Sequence, residues 1–222
     1  VNDRLSVAPA APSVPADAPL DRAGVNPLRD EMIDAGLLVS TGIQGLFGRS
    51  EAFERVVEAL DAYVSRLGAD QHAEVLRFPP AMSRLEFERS EYMKSFPQLA
   101  GSVHSFGGNE HQHQRLLQCL ERGEDWTENQ KPTYVVMTPA ACYPIYPVVA
   151  RAGALPPDGR IFDVFSYCFR HEPSLDPTRM QLFRMREYVR IGTPEQILAF
   201  RQTWIERGTQ LIDSLGLPNG ID

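Results

Sequence analysis

The stretch from Phe169 to Glu187 concentrates residue types that can handle a charged aromatic ligand. It runs Phe169-Arg170-His171-Glu172, then Ser174 through Arg179, then Phe183-Arg184-Met185-Arg186-Glu187. Apolar and polar residues alternate from Ile161 to Glu172, Pro173, Asp176 and Pro177 supply turn chemistry, and the alternation resumes at Met180. The pattern predicts two strands joined by a long polar loop. Residues two apart on a strand share a face, which groups Arg170 with Glu172, and Phe183 with Met185 and Glu187. A cation, two acids and an aromatic plate on one sheet face suit an adenine nucleotide. Phe183 would stack on the base, Glu172 accept from its exocyclic amine, and Arg170 and Arg179 neutralise phosphate charge. The same residues also fit an ordinary amphipathic hairpin with surface ion pairs.

The elements that must position this hairpin are legible in outline. Residues 1–25 are rich in Ala and Pro, can bury little, and read as a disordered lead-in; residues 26–222 read as one domain. A short helix over 27–38 runs into an extended piece ending at Gly42. Phe53, Val56, Val57, Leu60, Val64 and Leu67 then follow helical spacing between an N-cap at Ser50 and a stop at Gly68. A strand over 73–78 ends in Pro79-Pro80, and Ser83-Arg-Leu-Glu86 reads as a capping box opening a helix that stops before Pro97. A strand over 102–106, a helix over 110–122 and a β-rich run over 133–137 follow. Thr138-Pro-Ala-Ala-Cys142 opens a further helix, and Thr193-Pro-Glu-Gln196 starts an amphipathic helix after the hairpin.

Composition narrows the class. The chain has 222 residues, 43% hydrophobic and 23% charged, which describes a soluble globular protein. No apolar run approaches the ~20 residues that span a bilayer, and no signal sequence opens the chain, so a cytoplasmic protein without a membrane partner is expected. Three widely spaced cysteines, Cys119, Cys142 and Cys168, indicate reduced thiols rather than a disulfide framework. A formal net charge of -7 argues against a broad nucleic-acid surface. Arg179, Arg184, Arg186 and Arg190 are numerous enough to form a local basic patch.

The pattern Phe169-Arg170-x-Glu172, a loop carrying Arg179, then Phe183 and Glu187, resembles motif 2 of the class II aminoacyl-tRNA synthetases. Within that class it is most similar to the seryl-tRNA synthetase-like group and its truncated relatives, the amino acid:carrier protein ligases. The helix, strand and terminal proline over 51–80 resemble motif 1, which builds a dimer interface in that family. The resemblance covers roughly residues 45 to 215. It implies an α+β fold, a class II synthetase-like antiparallel sheet flanked by helices. Motif 3, a Gly-rich strand and helix bearing an arginine, is missing, and the chain closes on turn residues after Leu215, so the domain reads as incomplete at its C-terminus.

The resemblance also implies roles. Arg170 falls at the α-phosphate and substrate carboxylate, Arg179 at the distal phosphates, and Glu172 and Phe183 at adenine. Thr138 belongs to the element that holds the substrate amine. Cys142 and Glu187 fall where these ligases bind Zn²⁺, and thiolate and carboxylate both suit that ion; a third ligand is a later cysteine, and none follows Cys168. The implied activity is ATP- and Mg²⁺-dependent adenylation of a small amino acid, glycine or alanine on account of Ala140 and Ala141. The amino acid then passes to the phosphopantetheine thiol of a carrier protein, in a homodimer that needs no tRNA. A seryl-tRNA synthetase core is the alternative enzyme, and a non-catalytic synthetase paralogue acting as an interaction module is the alternative from another class.

Overall fold

The computed structural model describes residues 26–218 and 220; the expected lead-in over 1–25 lies outside them. Seven α-helices and eight strands follow in order among the described residues. Helix α1 (Pro27–Asp34) leads to β1 (Leu38–Ser40) and β2 (Phe47–Arg49), which pair antiparallel. Helix α2 (Glu51–Leu67) begins where the Ser50 side chain accepts from the Phe53 amide and ends at Gly68, as its capping residues dictate. Strands β3 (Glu74–Arg77) and β4 (Ala81–Ser83), helices α3 (Arg84–Arg89) and α4 (Tyr92–Ser95), and β5 (Ser102–Ser105) come next. The chain continues through α5 (Glu110–Arg122), β6 (Lys131–Met137), α6 (Ile145–Arg151), β7 (Arg160–Phe169), β8 (Leu182–Ile191) and α7 (Pro194–Ser214).

Two three-stranded sheets form the framework, ordered β3-β7-β8 and β4-β6-β5. The predicted hairpin is the β7–β8 pair, antiparallel with Arg160 opposite Ile191 and Phe169 opposite Leu182. β3 runs parallel to β7, with Glu74 opposite Phe162 and Arg77 opposite Phe165. The main core lies on one face of this sheet: Phe162, Val164 and Cys168 of β7 pack with Ala141, Ile145 and Val149, and Phe183, Met185, Val189 and Ile191 of β8 close over them. Odd residues of β8 therefore face the core. Even residues face α2 and α7: Tyr188 stacks 4.3 Å from Trp204 and lies so close over Gly68 that a Cβ there would meet its hydroxyl.

Two local expectations fail for identifiable reasons. Ser83 makes no side-chain cap, because it ends β4, paired with Val135 of β6, rather than introducing a free helix terminus. The helix expected to run on toward Pro97 breaks at Glu91, whose φ of 60° is left-handed, and restarts at Tyr92. No helix among the described residues is long and apolar enough to cross a membrane.

Gly101 joins the two sheets. A Cβ there would lie 2.6 Å from the Phe169 ring and 3.1 Å from Met137 Cγ. Gly101→Ala is expected to cost about 1–3 kcal/mol by overpacking, read as a lower urea midpoint; an unchanged midpoint would show that Phe169 swings aside freely.

Candidate active site

The loop between β7 and β8 shapes the site. β7 ends at Phe169 rather than running to Glu172, because the Glu172 amide turns back to the Arg170 carbonyl at 2.7 Å. Arg170 and Glu172 thus come together through a tight turn, not through strand parity. Beyond them Asp176 accepts from the Thr178 amide and hydroxyl at 2.9 and 2.7 Å, and its carbonyl accepts from the Arg179 amide at 3.0 Å. The return is anchored by Gln181, which is 3% exposed and donates to the carbonyls of Gln44 and Gly45. Gly45 has φ +72°, and a Cβ on it would press on Gln181 Cγ at 3.1 Å, so the turn after β1 needs a glycine to approach this closely.

All four residues expected at the nucleotide, Arg170, Glu172, Arg179 and Phe183, line one cleft of about 580 Å³. The Arg170 guanidinium lies 5.4 Å from the Phe183 ring centroid, and its Nε donates to the Pro139 carbonyl at 3.1 Å. Arg179 pairs with Glu172 at 3.1 Å, both well exposed. Such a pair is worth at most about 1 kcal/mol, so an anionic ligand can replace it cheaply. Sequence reasoning missed Arg49, Phe53 and Arg184, which share the lining. Arg49 precedes the Ser50 cap on a three-residue strand too short to announce itself; it donates to the Tyr167 hydroxyl at 3.1 Å and pairs with Glu54 at 3.0 Å.

The four arginines Arg179, Arg184, Arg186 and Arg190 do not form one patch: Arg179 and Arg184 line the cleft, and Arg186 and Arg190 lie outside it. Arg184 pairs with Glu54 at 2.7 Å, Arg186 with Asp163 at 2.8 Å, and Arg190 donates to the Asp158 carbonyl at 2.6 Å. Arg184 and Arg186 lie under α2, whose acids, with Asp163 of β7, absorb their charge, while a backbone carbonyl holds Arg190.

On the core side of β8 the turn after β6 delivers Cys142 to Glu187: the Cys142 amide donates to Glu187 Oε1 at 3.1 Å. Burial, and after it the Glu187 carboxylate, pushes the thiol up to about 11. Thr138, expected to meet the substrate, is fully buried instead. Its amide donates to the Pro80 carbonyl at 3.1 Å and its carbonyl accepts from Phe169 at 2.8 Å, so it sets the turn that carries Cys142. Ala141 is likewise fully buried, its amide 3.4 Å from the Met185 sulfur, and offers no space to a ligand. Cys168 belongs to the core, and burial pushes its thiol up to about 12.

The donor chemistry of Cys142 and Glu187 fits two corners of an open zinc site. A cation between them would offset the cost of burying a thiolate beside a carboxylate. Among the described residues no group of three or more His, Cys, Asp or Glu side chains gathers around a common point.

No family model matches the chain. Over all 222 residues it is 42% identical to amino acid–acyl-carrier-protein ligase 2 of Bradyrhizobium diazoefficiens, and over 211 residues 40% identical to ligase 1 of the same organism. It spans 63% of the length of each. Among solved structures it matches the seryl-tRNA synthetase of M. kandleri, solved with A. aeolicus tRNASec, at TM-score 0.72 and 18% identity, over 92% of this chain and 42% of that one. The seryl-tRNA synthetase of Pyrococcus horikoshii complexed with ATP matches at TM-score 0.60 and 15% identity, over 83% and 38% of the two chains. The chain is a homologue of the amino acid–acyl-carrier-protein ligases, built on the α+β fold of the class II aminoacyl-tRNA synthetases.

Proposed function

We propose that this chain is the adenylating core of an enzyme that activates a small amino acid, glycine or alanine, with ATP and passes it to the phosphopantetheine thiol of a carrier protein. The observation that carries the reading is Arg170, which lines the cleft with Glu172, Arg179 and Phe183 and also donates to the Pro139 carbonyl in the turn that carries Cys142. In this reading Phe183 stacks on adenine, Glu172 accepts from its amine, and Arg179 releases Glu172 to hold the distal phosphates. Arg170 bridges the substrate carboxylate and the α-phosphate, lowering the repulsion between two anions that must meet in line. The carboxylate oxygen bonds to the α-phosphorus as pyrophosphate leaves. The carrier thiolate then attacks the carbonyl carbon of the mixed anhydride, and AMP leaves.

Cys142 and Glu187 would hold zinc, which would bind the free amine of the amino acid and so select an unblocked substrate. Mg²⁺ enters this reading with ATP, its donors the phosphate oxygens, because Glu172 is the sole acid among the described residues lining the cleft and it already faces Arg179. The names of the relatives support a carrier protein over tRNA as acceptor. With the arginines of β8 engaged internally, carrier docking has to use other surface. A homodimer through α2 is supported by the apolar residues that helix leaves uncovered, Val56 being 69% exposed.

The test is amino-acid-dependent pyrophosphate exchange by the full-length protein over all standard amino acids. Chelator-sensitive exchange with one small amino acid is expected, and Cys142→Ser is expected to lose zinc and exchange together. Normal zinc content in that variant would overturn the metal assignment; no exchange with any amino acid would favour the interaction module.

A further inference from the structure

A row of aromatic rings runs through the turn that joins the cleft to the Cys142–Glu187 pair, a turn held by Arg170 at the Pro139 carbonyl and by Glu187 at the Cys142 amide. Tyr92, 7% exposed, packs 5.3 Å from Phe87 and meets Tyr143 edge-on at 5.6 Å. Tyr143 in turn meets Tyr146 edge-on at 6.5 Å. The row starts in the second core, where Phe87, Tyr92 and Val136 cluster with Tyr143 packed against them. It ends at Tyr146 in α6.

The middle of the row, Tyr143, directly follows Cys142, whose amide donates to Glu187 Oε1 at 3.1 Å. Burial pushes the Tyr143 hydroxyl up, with the Cys142 and Glu187 charges adding to it and Arg170 opposing. Tyr92 feels Arg170 and Glu172 in the same way, after burial. Its position depends on the left-handed Glu91, a strained backbone for a residue with a side chain, which breaks the helix and turns Tyr92 inward.

An amino acid with its carboxylate at Arg170 and its amine at the Cys142–Glu187 pair has little choice for its side chain. Fully buried Ala141, packed on Met185, closes the sheet side. We propose that Tyr143, backed by Tyr92 and Tyr146, is the specificity-determining residue that limits the substrate to the smallest side chains. This inference rests on the proposal that the site activates an amino acid. Aromatic rings locked edge to face yield less than a methionine-lined pocket would. Discrimination of about 10–200-fold per added methylene is therefore expected.

The experiment is pyrophosphate exchange by the full-length protein with glycine, alanine, serine, valine and leucine, in wild type and in Tyr143→Ala and Tyr143→Phe. Wild-type kcat/KM should fall as the side chain grows, with glycine highest and leucine lowest. Tyr143→Phe, which keeps the ring, should keep the ranking whatever its absolute rate. Tyr143→Ala should raise kcat/KM for valine or leucine relative to glycine by at least about tenfold. A folded Tyr143→Ala with the wild-type ranking, or a wild type that prefers leucine, would overturn the inference alone. Wild-type exchange with no amino acid would overturn the proposed function and the inference with it. Should Tyr143→Ala not fold, Tyr146→Ala at the half-exposed end of the row takes its place. Calorimetry then compares glycyl- with leucyl-sulfamoyl adenosine: a relative gain for the leucyl compound supports the wall, and an unchanged preference rejects it.

Discussion

Replacing Arg170 with alanine should lower amino-acid activation by at least about 10²-fold while the protein stays folded. The size follows from position. Arg170 is held by a hydrogen bond to the Pro139 carbonyl and by the Phe183 ring, so its charge is fixed before any ligand arrives. A guanidinium already in place stabilises the developing charge without reorganisation, which is why losing such a group costs orders of magnitude. The fold should survive because these two contacts sit at the edge of the cleft rather than in the core. Arg170→Lys separates charge from geometry: it keeps the cation but loses the planar fork, and should recover only part of the loss. Single-turnover formation of aminoacyl-adenylate measures the step directly. A loss of only a few-fold in Arg170→Ala would assign the residue to loop structure.

Much of this arrangement is readable from residue order, and the exceptions have physical causes. Helix α2 runs between Ser50 and Gly68, and α7 starts at the Thr193 capping box, because capping chemistry is local. Strands β2 and β4 went unforeseen because three residues carry no periodicity, and pairing with distant partners made them. The cleft residues Arg170, Glu172, Arg179 and Phe183 were legible because one hairpin supplies them all. Arg49, which reaches the cleft from a separate segment, and the Tyr92–Tyr143 contact were not, since only the tertiary fold decides such approaches. The arginines of β8 make the converse case. Their spacing of two shows a shared face, but which face α2 covers is a question of packing.

That covered face sets the second large expectation: Asp163→Asn should destabilise the protein by about 3–5 kcal/mol, because it takes from a buried guanidinium its nearest carboxylate and leaves only that of Asp61 at 3.6 Å. Asp163 and Arg186 have side chains only 6% and 12% exposed. They bond twice in parallel, Nε to Oδ1 at 2.9 Å and Nη2 to Oδ2 at 2.8 Å. Arg186 also donates to the Asp61 carbonyl at 2.6 Å and to Ser65 at 2.8 Å, tying β7 and β8 to α2, while Arg77 approaches Asp163 from β3 at 3.5 Å. In thermal unfolding the single variant should lose roughly 6–20 °C. Asp163→Leu with Arg186→Met should recover much of it, since a packed apolar pair avoids desolvating either ion. The pair also guards function. A one-residue slip of β8 would exchange its two faces, sending Phe183, Met185 and Glu187 under α2 and the arginines into the core. Because only one register lets Arg186 reach both Asp163 and α2, the ion pair selects the alignment that brings Glu187 to Cys142. If the double variant is as stable as wild type yet shows heterogeneous Glu187 and Phe183 signals by NMR, the pair contributes register rather than energy; a uniform spectrum would remove that role.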